Sequence, residues 1–297
     1  MPHHAYRYRK PPRRRIRVSR ILMILLLIVM IGYPFWEANM LQIDHHTVQV
    51  PGLHPNLKNL KIVFASDIHR GPFFSQAKVN NLIATVNSLG PDIVILGGDY
   101  AEDSDSAIQF FKMAPPIQAR LGAFGVVGNH DRTEPESNFT VLVAEMANYG
   151  NAFEPLINKV ARVKVGQTYL YIAGVDDYYN GFPDVAGVAS QVSRDDFVIF
   201  VGHSPDLLPS VRDARSRENG KHWYNLALFG HTHGGQVALF GQPIIPKMMP
   251  EIGALYLSGW REEDRASILV SNGVGTSFLP VRLFAPPQIH LITLKAI

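Results

Sequence analysis

Apolar residues recur along most of this chain in two patterns, short β-branched runs and longer stretches with helical spacing. The short runs predict strands at Val48–Val50, Lys61–Ala65, Ile93–Leu96, Ala123–Val127, Ala161–Val165, Leu170–Ala173, Val198–Val201, Leu226–Phe229, Gln236–Leu239, Ser267–Ser271 and Ile289–Leu294. The longer stretches predict helices at Gln76–Leu89, Ala107–Met113, Thr140–Tyr149, Val185–Val192 and Leu207–Val211. Strands and helices alternate early and strands dominate late, which predicts an α/β sandwich of two central sheets flanked by helices.

A different pattern occupies the first part of the sequence, where a basic segment, residues 1–20, precedes an almost uninterrupted apolar run, residues 21–36. The run is somewhat shorter than the ~20 residues of a typical membrane-spanning helix. It ends in aromatic residues of the kind found at membrane interfaces, namely Tyr33, Phe35 and Trp36. Because no small-residue cleavage site follows, we predict an uncleaved transmembrane signal anchor at 21–36 and a linker at 37–44. A cleaved signal peptide and a helix lying flat on the membrane are the alternatives.

Charge is distributed unevenly along the chain. The net charge is +3, but residues 1–20 carry seven Arg, one Lys and no acid, so the remainder has 20 basic and 25 acidic side chains. The positive-inside rule predicts a cytoplasmic tail at 1–20 and an extracytoplasmic domain on the inner (cytoplasmic) membrane; a monotopic domain on the cytoplasmic face is the alternative. The mildly acidic body lacks the basic stripe that nucleic acids require, and no protein partner is evident. The absence of cysteine excludes disulfides and thiolate metal sites.

Five short motifs, each placed after a predicted strand, carry side chains that bind metals. They are Asp67-Ile68-His69, Gly98-Asp99, Gly128-Asn129-His130-Asp131, Gly202-His203 and Gly230-His231-Thr232-His233. Open α/β sheets place ligands outside the carboxyl ends of their strands, so we expect these side chains to meet at one site. Carboxylate, amide oxygen and imidazole suit divalent Mn, Fe, Zn or Co. The donors are too many for one ion, which predicts two divalent metal ions, and the glycines before the ligands allow close approach.

The order and spacing of these motifs resemble the calcineurin-like metallophosphoesterase superfamily over residues 45–297. The sequences at 202–206, 231–236 and 273–277 are similar to its membrane-associated bacterial branch, the YkuE/YaeI-like phosphodiesterases. The resemblance implies a four-layer αββα sandwich for the domain at 45–297. It also implies a ligand set in which one metal binds Asp67, His69 and His233, a second binds Asn129, His203 and His231, and Asp99 bridges both.

The same resemblance implies hydrolysis of a phosphodiester or pyrophosphate bond by a hydroxide that bridges the two metals. His130 is the candidate acid that protonates the leaving oxygen, and we expect Asp131 to hold its imidazole tautomer. Protein Ser/Thr phosphatases of this superfamily carry an arginine after the second motif that Gly98–Asp103 lacks, which argues against a phosphoprotein substrate. Asp177 and Tyr178, at the end of a predicted strand, are candidates for substrate binding, with a plain turn as the alternative.

Two proline-broken apolar segments, residues 239–250 and 278–287, come late in the sequence. They either fold over the core or form a lipid-facing lip near the anchor. We expect a phosphate ester or anhydride as the substrate. If the segments form a lipid-facing lip, we expect this substrate to carry a lipid. One alternative is a UDP-2,3-diacylglucosamine pyrophosphatase of lipid A synthesis, which needs cytoplasmic access. An alternative of another class is a non-catalytic metal-binding scaffold.

Overall fold

The computed structural model describes residues 18–133, 135–150, 153–220, 222–240, 242–263 and 265–297. In these ranges the α-helices are α1 (Val18–Glu37), α2 (Gln76–Ser88), α3 (Ser104–Met113), α4 (Glu136–Asn148), α5 (Val185–Ala189) and α6 (Leu208–Asp213). The strands are β1 (Gln42–Val50), β2 (Lys61–Ala65), β3 (Ile93–Leu96), β4 (Ala123–Gly125), β5 (Phe153–Pro155), β6 (Lys159–Val165), β7 (Thr168–Gly174), β8 (Phe197–Val201), β9 (Leu226–Phe229), β10 (Ala238–Leu239), β11 (Gln242–Pro243), β12 (Gly259–Glu263), β13 (Ala266–Val270) and β14 (Gln288–Ala296).

Two six-stranded sheets run through the described ranges. The first has the order β1-β14-β2-β3-β4-β5, in which β2 to β5 are parallel and β14 is antiparallel to β2. The second has the order β12-β13-β9-β8-β7-β6, in which β13, β9, β8 and β7 are parallel. Parallel strands end at one edge of a sheet, so the loops after them gather there.

The alternation of buried residues along the strands explains the layers. In β2, Ile62 and Phe64 belong to the core between the sheets, together with Ile172 and Leu228 of the second sheet. Val63, which points the other way, packs with the helices that cover the first sheet. Both faces of this strand are therefore buried, which is typical of parallel sheets covered on both sides.

Helices cover the outer face of each sheet. Val79 of α2 and Leu142 of α4 pack on the first sheet, while Val188 of α5 and Leu208 of α6 pack on the second. The order of layers is helix, sheet, sheet, helix, which confirms the predicted four-layer αββα sandwich.

The N-terminal helix α1 extends beyond both ends of the predicted anchor. It has 20 residues and a mean hydropathy of 2.2 in its most apolar window, none of which is buried, so by length and composition it can cross a membrane. Its last residue, Glu37, is buried and accepts the Ala285 N–H at 2.9 Å. The predicted linker 37–44 thus contains a docked helix end and the start of β1, where Gln42 pairs with β14. Residues 1–17 of the predicted tail lie outside the described residues.

Some predicted elements differ from those observed. The predicted strand Gln236–Leu239 is reduced to Ala238–Leu239, because Gln236 has a left-handed φ of 53° and its side chain bonds the backbone of Ser277. The strands β5, β11 and β12 were not predicted, since β5 and β11 are short and contain proline and β12 is a charged edge strand. These differences leave the edge that carries the motifs unchanged.

Candidate metal centre

The loops after the parallel strands bring the motif residues together. Asp67 follows β2, Asp99 follows β3, Asn129 follows β4, His203 follows β8 and His231 follows β9. The two sheets thus contribute their carboxyl ends to the same site, as the sequence predicted from the position of each motif.

The first cluster of ligand candidates consists of Asp67, His69 and His233. The Nε2 atoms of the two histidines are 3.1 Å apart, and Asp67 Oδ1 lies 3.7 Å from His233 Nε2. Two imidazole nitrogens this close need a proton or a cation between their lone pairs. The cluster therefore offers three convergent donors to one ion.

The second cluster consists of Asp99, His203 and His231. Asp99 Oδ2 lies 3.2 Å from His203 Nε2 and also 3.5 Å from His69 Nε2 of the first cluster. The Asp99 carboxylate therefore lies between the two clusters. His203 Nδ1 is 2.8 Å from the Gly97 carbonyl, and donation to that carbonyl leaves the Nε2 lone pair facing the site.

Several donor atoms of the centre have no partner. Within the part of the chain that the structure describes, Asn129 Oδ1 and His203 Nε2 are buried without a hydrogen bond. An unpaired buried polar atom costs about 1–3 kcal/mol, so both atoms indicate a ligand. The oxygen and imidazole donors that converge here fit divalent Mn, Fe, Zn or Co.

Glycines let the ligand loops approach one another. A Cβ on Gly128 would overlap Asp99 Oδ1 and come within 2.7 Å of His203 Nε2, and a Cβ on Gly230 would overlap Asp67 Oδ2. These two glycines behave as the sequence predicted. A Cβ on Gly202 would instead meet core side chains, so this glycine serves packing.

The ligand candidates adopt an unusual backbone conformation. Five of them have left-handed φ angles between 48° and 71°, namely Asp67, His69, Asp99, His231 and His233. A non-glycine residue in this region is uncommon and costs of the order of 1–3 kcal/mol. Such strain collects at functional sites because it aims side chains that regular structure would direct elsewhere.

The electrostatics of the centre fit a site for cations. Burial raises the pKa of Asp67, and burial together with the charge of Asp99 raises the pKa of Asp131 to about 7. Burial and the charge of His203 lower the pKa of His231 to about 3, so its imidazole is neutral. Burial also lowers the pKa of His203, but the carboxylates of Asp99 and Asp67 outweigh it and raise that pKa well above its usual range. Cations would replace the His203 proton and stabilise the carboxylates as charged groups.

His130 lies beside the two clusters and faces the cleft above them. Its Nδ1 is 2.9 Å from the Glu102 carbonyl, and its ring lies 4.9 Å from that of His69. Burial lowers its pKa, but the charge of Asp99 and the Glu102 carbonyl outweigh burial and raise it. Because Nδ1 is tied to a carbonyl, Nε2 is the nitrogen that can deliver a proton to a substrate.

The Asp131 carboxylate bonds backbone N–H groups instead of the His130 ring. This buried carboxylate accepts the backbone N–H groups of Asp99 at 2.7 Å, Tyr100 at 3.0 Å and Gly128 at 2.9 Å. It therefore holds the Asp99 loop against the Gly128 loop, and the carbonyl of Glu102 takes the part that we predicted for it at the His130 ring. Asp131 faces its own loop because its N–H donates to the Gly128 carbonyl and its carboxylate accepts the Gly128 N–H.

The cleft beside the clusters has a volume of about 440 Å³. Tyr179 lines it, stacked on His231 with ring centroids 4.9 Å apart, and the Tyr178 hydroxyl lies 3.4 Å from Glu251 Oε2, at the border of the same cleft. Asp177 is fully buried and accepts the Tyr179 and Asn180 N–H groups. The predicted substrate-binding residues Asp177 and Tyr178 thus lie on the loop that borders the cleft, where Tyr179 lines it directly, and their role stays a prediction. The strand end located this loop, but the side chain that turns inward depends on the turn geometry.

Sequence reasoning also missed two charged residues that contact the ligand histidines. Glu102 Oε1 is 3.5 Å from His69 Nδ1. Arg282 is fully buried, lies 3.4 Å from His233 Nδ1, and donates to the carbonyls of Gly275 and Ala285. Burial lowers the pKa of Arg282 to about 10, so the guanidinium is charged at neutral pH. The only sequence signal for Arg282 is a lone arginine inside an apolar segment.

Comparison with known proteins identifies this arrangement. The sequence model of the calcineurin-like phosphoesterase family matches residues 60–235. The chain is 30% identical to the uncharacterized metallophosphoesterase YkuE of Bacillus subtilis, over 89% of this chain and 90% of that protein. It is 27% identical to an uncharacterized metallophosphoesterase of Aquifex aeolicus, over 91% of this chain and 98% of that protein.

A mammalian relative is similar as well. The chain is 30% identical to a Bos taurus transmembrane protein with metallophosphoesterase domain, over 84% of this chain and 56% of that protein. The chain thus spans just over half of this longer relative. Taken with the family match, these relatives show that the chain belongs to the calcineurin-like phosphoesterase family and is a metal-dependent phosphoric ester hydrolase.

Proposed function

We propose that the chain is a membrane-anchored phosphoesterase that uses two divalent metal ions to hydrolyse phosphodiester or pyrophosphate bonds. The observation that supports this most is the Asp99 carboxylate, 3.2 Å from His203 Nε2 and 3.5 Å from His69 Nε2, which fits a ligand shared by two ions. One ion would be held by Asp67, His69 and His233, the other by Asn129, His203 and His231.

The residues around the centre divide the reaction between them. Two bound ions would supply an activated water and neutralise the phosphoryl oxygens. As the water oxygen bonds to phosphorus, the bond to the leaving oxygen breaks, and His130 Nε2 gives that oxygen a proton. His130 then regains a proton from solvent, into which the attacking water has released its own. Glu102 and Arg282 would orient the ligands His69 and His233.

Anchoring through α1 belongs to the same proposal. The apolar part of the helix is unburied, and the basic residues 1–20 favour a cytoplasmic N-terminus with the domain on the opposite side. An alkaline phosphatase reporter fused after Ile297 should be active in bacterial cells. A fusion that is inactive, while a cytoplasmic reporter at the same position is active, would reverse the orientation and support the monotopic alternative.

Hydrolysis of bis(p-nitrophenyl) phosphate tests the chemistry. The full chain in detergent should release p-nitrophenol with Mn²⁺ or Zn²⁺, EDTA should abolish release, and Asp99→Ala should not recover with any metal. Metal-bound protein that hydrolyses neither this diester nor a pyrophosphate would contradict the proposal and favour the scaffold alternative. Release of UMP from UDP-2,3-diacylglucosamine would establish the lipid A alternative, and its absence from active protein would remove it.

A further inference from the structure

The two proline-broken apolar segments fold only in part over the core. Met248 and Ala285 are buried, but five large apolar side chains among the described residues of the segments are more than half exposed. They are Phe240 at 103%, Ile244 at 57%, Phe278 at 66%, Leu279 at 56% and Phe284 at 69% relative exposure. We call these five residues the apolar rim. Contiguous exposed apolar side chains of this kind mark an interaction surface.

The backbone of the rim is strained in a way that keeps its aromatic rings outward. Phe240, Phe278 and Phe284 have left-handed φ angles of 52°, 62° and 58°. A bulky residue rarely adopts this conformation, and glycine would do so without cost. Three exposed phenylalanines at strained positions therefore indicate a surface with a function of its own.

Hydrogen bonds join the two rim segments into one surface. Gln236 donates its side-chain amide to the carbonyls of Ser277 and Leu279, at 2.8 and 3.1 Å. The backbone carbonyl of Gln236 accepts the Leu283 N–H at 2.8 Å, and the Ala238 N–H donates to the Leu283 carbonyl at 3.0 Å. The hairpin that carries Phe240 is thus fixed beside the loop that carries Phe278 and Phe284.

The rim is also fixed to the end of α1. The Arg282 N–H donates to the Pro34 carbonyl at 2.9 Å, and the Ala285 N–H donates to the Glu37 carboxylate at 2.9 Å. Pro34 lies between the aromatic residues Tyr33 and Trp36, which have the position of a membrane-interface belt. A segment bonded to the helix at this level lies at the membrane surface whenever the helix crosses the bilayer.

The rim borders the metal cleft. Phe278 lines the cleft together with His130 and His231, and it is itself two-thirds exposed. A molecule held by the rim would therefore have its polar end beside the metal ligands. Among the described residues, this juxtaposition joins the helix end, the rim and the cleft in one continuous face.

We infer that the apolar rim inserts into the headgroup–acyl boundary of the bilayer that α1 crosses, and that the metal cleft takes a phosphate ester carried by a lipid of that bilayer. The inference rests on the proposed phosphoesterase function for its substrate, but the seating of the rim can be tested without catalysis. Hydrolysis would break the same phosphorus–oxygen bond as in a soluble ester, with water adding to phosphorus and the proton going to the leaving oxygen.

Fluorescence tests the seating of the rim. Because the chain has no cysteine, Phe240→Cys and Phe284→Cys each accept a single bimane label in the full chain, reconstituted into nanodiscs of dioleoylphosphatidylcholine and dioleoylphosphatidylglycerol. The matched control is Phe182→Cys, at a phenylalanine that is 82% exposed in the loop after β7. We expect lipids carrying a nitroxide near the headgroup to quench the rim labels and not the control. Equal quenching at all three positions, or none at the rim, would overturn the inference.

Kinetics test the substrate class. The probes share p-nitrophenol as leaving group: bis(p-nitrophenyl) phosphate in solution, and the p-nitrophenyl ester of dioleoylphosphatidic acid in phosphatidylcholine vesicles that contain the protein. In Phe240→Ser/Phe284→Ser we expect the vesicle rate to fall at least ~10-fold more than the soluble rate, while Phe182→Ser keeps both rates. An unchanged ratio in the rim variant would overturn the lipid substrate. Loss of both activities in wild-type protein would instead contradict the proposed function and leave the quenching result standing.

Discussion

Two largely buried groups of histidine, carboxylate and amide or hydroxyl side chains in the described part of this domain differ in geometry more than in composition. In the metal centre, five ligand candidates have a left-handed backbone, and Asn129 Oδ1 and His203 Nε2 are buried without a hydrogen bond among the described residues. In the second group, which we call the His290 chain, His290 Nδ1 is 3.2 Å from Asp44 Oδ2 and its Nε2 is 3.0 Å from Ser271 Oγ. Asp44 and His290 stand opposite each other on the paired strands β1 and β14.

The His290 chain has the residue types of a nucleophilic triad but is satisfied and closed. Ser271 Oγ also accepts the Gly273 N–H at 3.0 Å, and Ser271 and His290 are buried, so a substrate cannot reach the hydroxyl. A Cβ on Gly273 would come within 2.8 Å of Asp67 Oδ2, so Gly273 lies directly against the metal centre. Because Ser271 Oγ accepts the Gly273 N–H, the His290 chain supports the loop beneath that centre. Strained, unpaired and convergent donors therefore indicate a ligand site, whereas residue type alone does not.

The largest effect is expected where the two clusters meet. Asp99→Ala removes the carboxylate between them, so we expect more than the ~10²–10³-fold loss of turnover caused by removal of a single electrostatic group. Metal analysis should show less bound metal in the folded variant than in the folded wild-type protein. Wild-type turnover in this variant would erase the distinction between the centre and the His290 chain.

A smaller effect is expected when metal ligation is kept and only the proton donor is lost. His130→Gln should retain the metals and lose ~10²-fold or more in kcat, the usual scale for a general acid. Its loss should shrink with p-nitrophenol esters compared with alkyl esters, because p-nitrophenolate leaves without a proton. An equal loss on both esters would assign His130 to structure rather than to proton transfer.

The buried arginine should act through a ligand. Arg282→Met leaves His233 without its neighbour, and loss of such a supporting contact typically weakens metal affinity ~10–100-fold. Activity should fall at limiting Mn²⁺ and return at high Mn²⁺, with Arg282→Lys intermediate because lysine lacks the planar fork. Failure of excess metal to restore a folded variant would contradict this role.

The smallest effect on turnover is expected in the His290 chain. His290→Leu leaves the Asp44 carboxylate and the buried Ser271 hydroxyl short of a partner, which should lower the free energy of unfolding by about 1–3 kcal/mol. Turnover of the metal-saturated folded variant should stay close to wild type. A loss of turnover as large as that of Asp99→Ala would contradict a purely structural role for the His290 chain.

Sequence patterns predicted the layers of this fold because both faces of the central strands are buried. The β-branched runs of β2, β3 and β8 therefore stand out, and each is followed by a motif residue at the predicted position. The limits of individual strands were harder to predict. The polar alternation of Gln42–Val50 concealed the first part of this edge strand, which begins in the predicted linker and of which only Val48–Val50 was predicted. The charged β12 resembles a loop.

Within the site, the sequence located the loops but not the direction of every side chain. Asp131 bonds the backbone of two loops instead of the His130 ring, and Tyr179 lines the cleft directly, because tight turns set the direction of successive side chains. Glu102 and Arg282 were missed since they come from irregular segments whose neighbours in space are remote in sequence. Such contacts depend on loop geometry, which residue spacing does not encode.

The most direct measurement is electron paramagnetic resonance of the metal-free full chain titrated with Mn²⁺. We expect about two Mn²⁺ ions per chain and an exchange-coupled spectrum, because the ions would share the Asp99 carboxylate. Asp99→Ala should abolish the coupling. A single uncoupled Mn²⁺ at every loading, in protein that hydrolyses the diester, would contradict the two-metal centre.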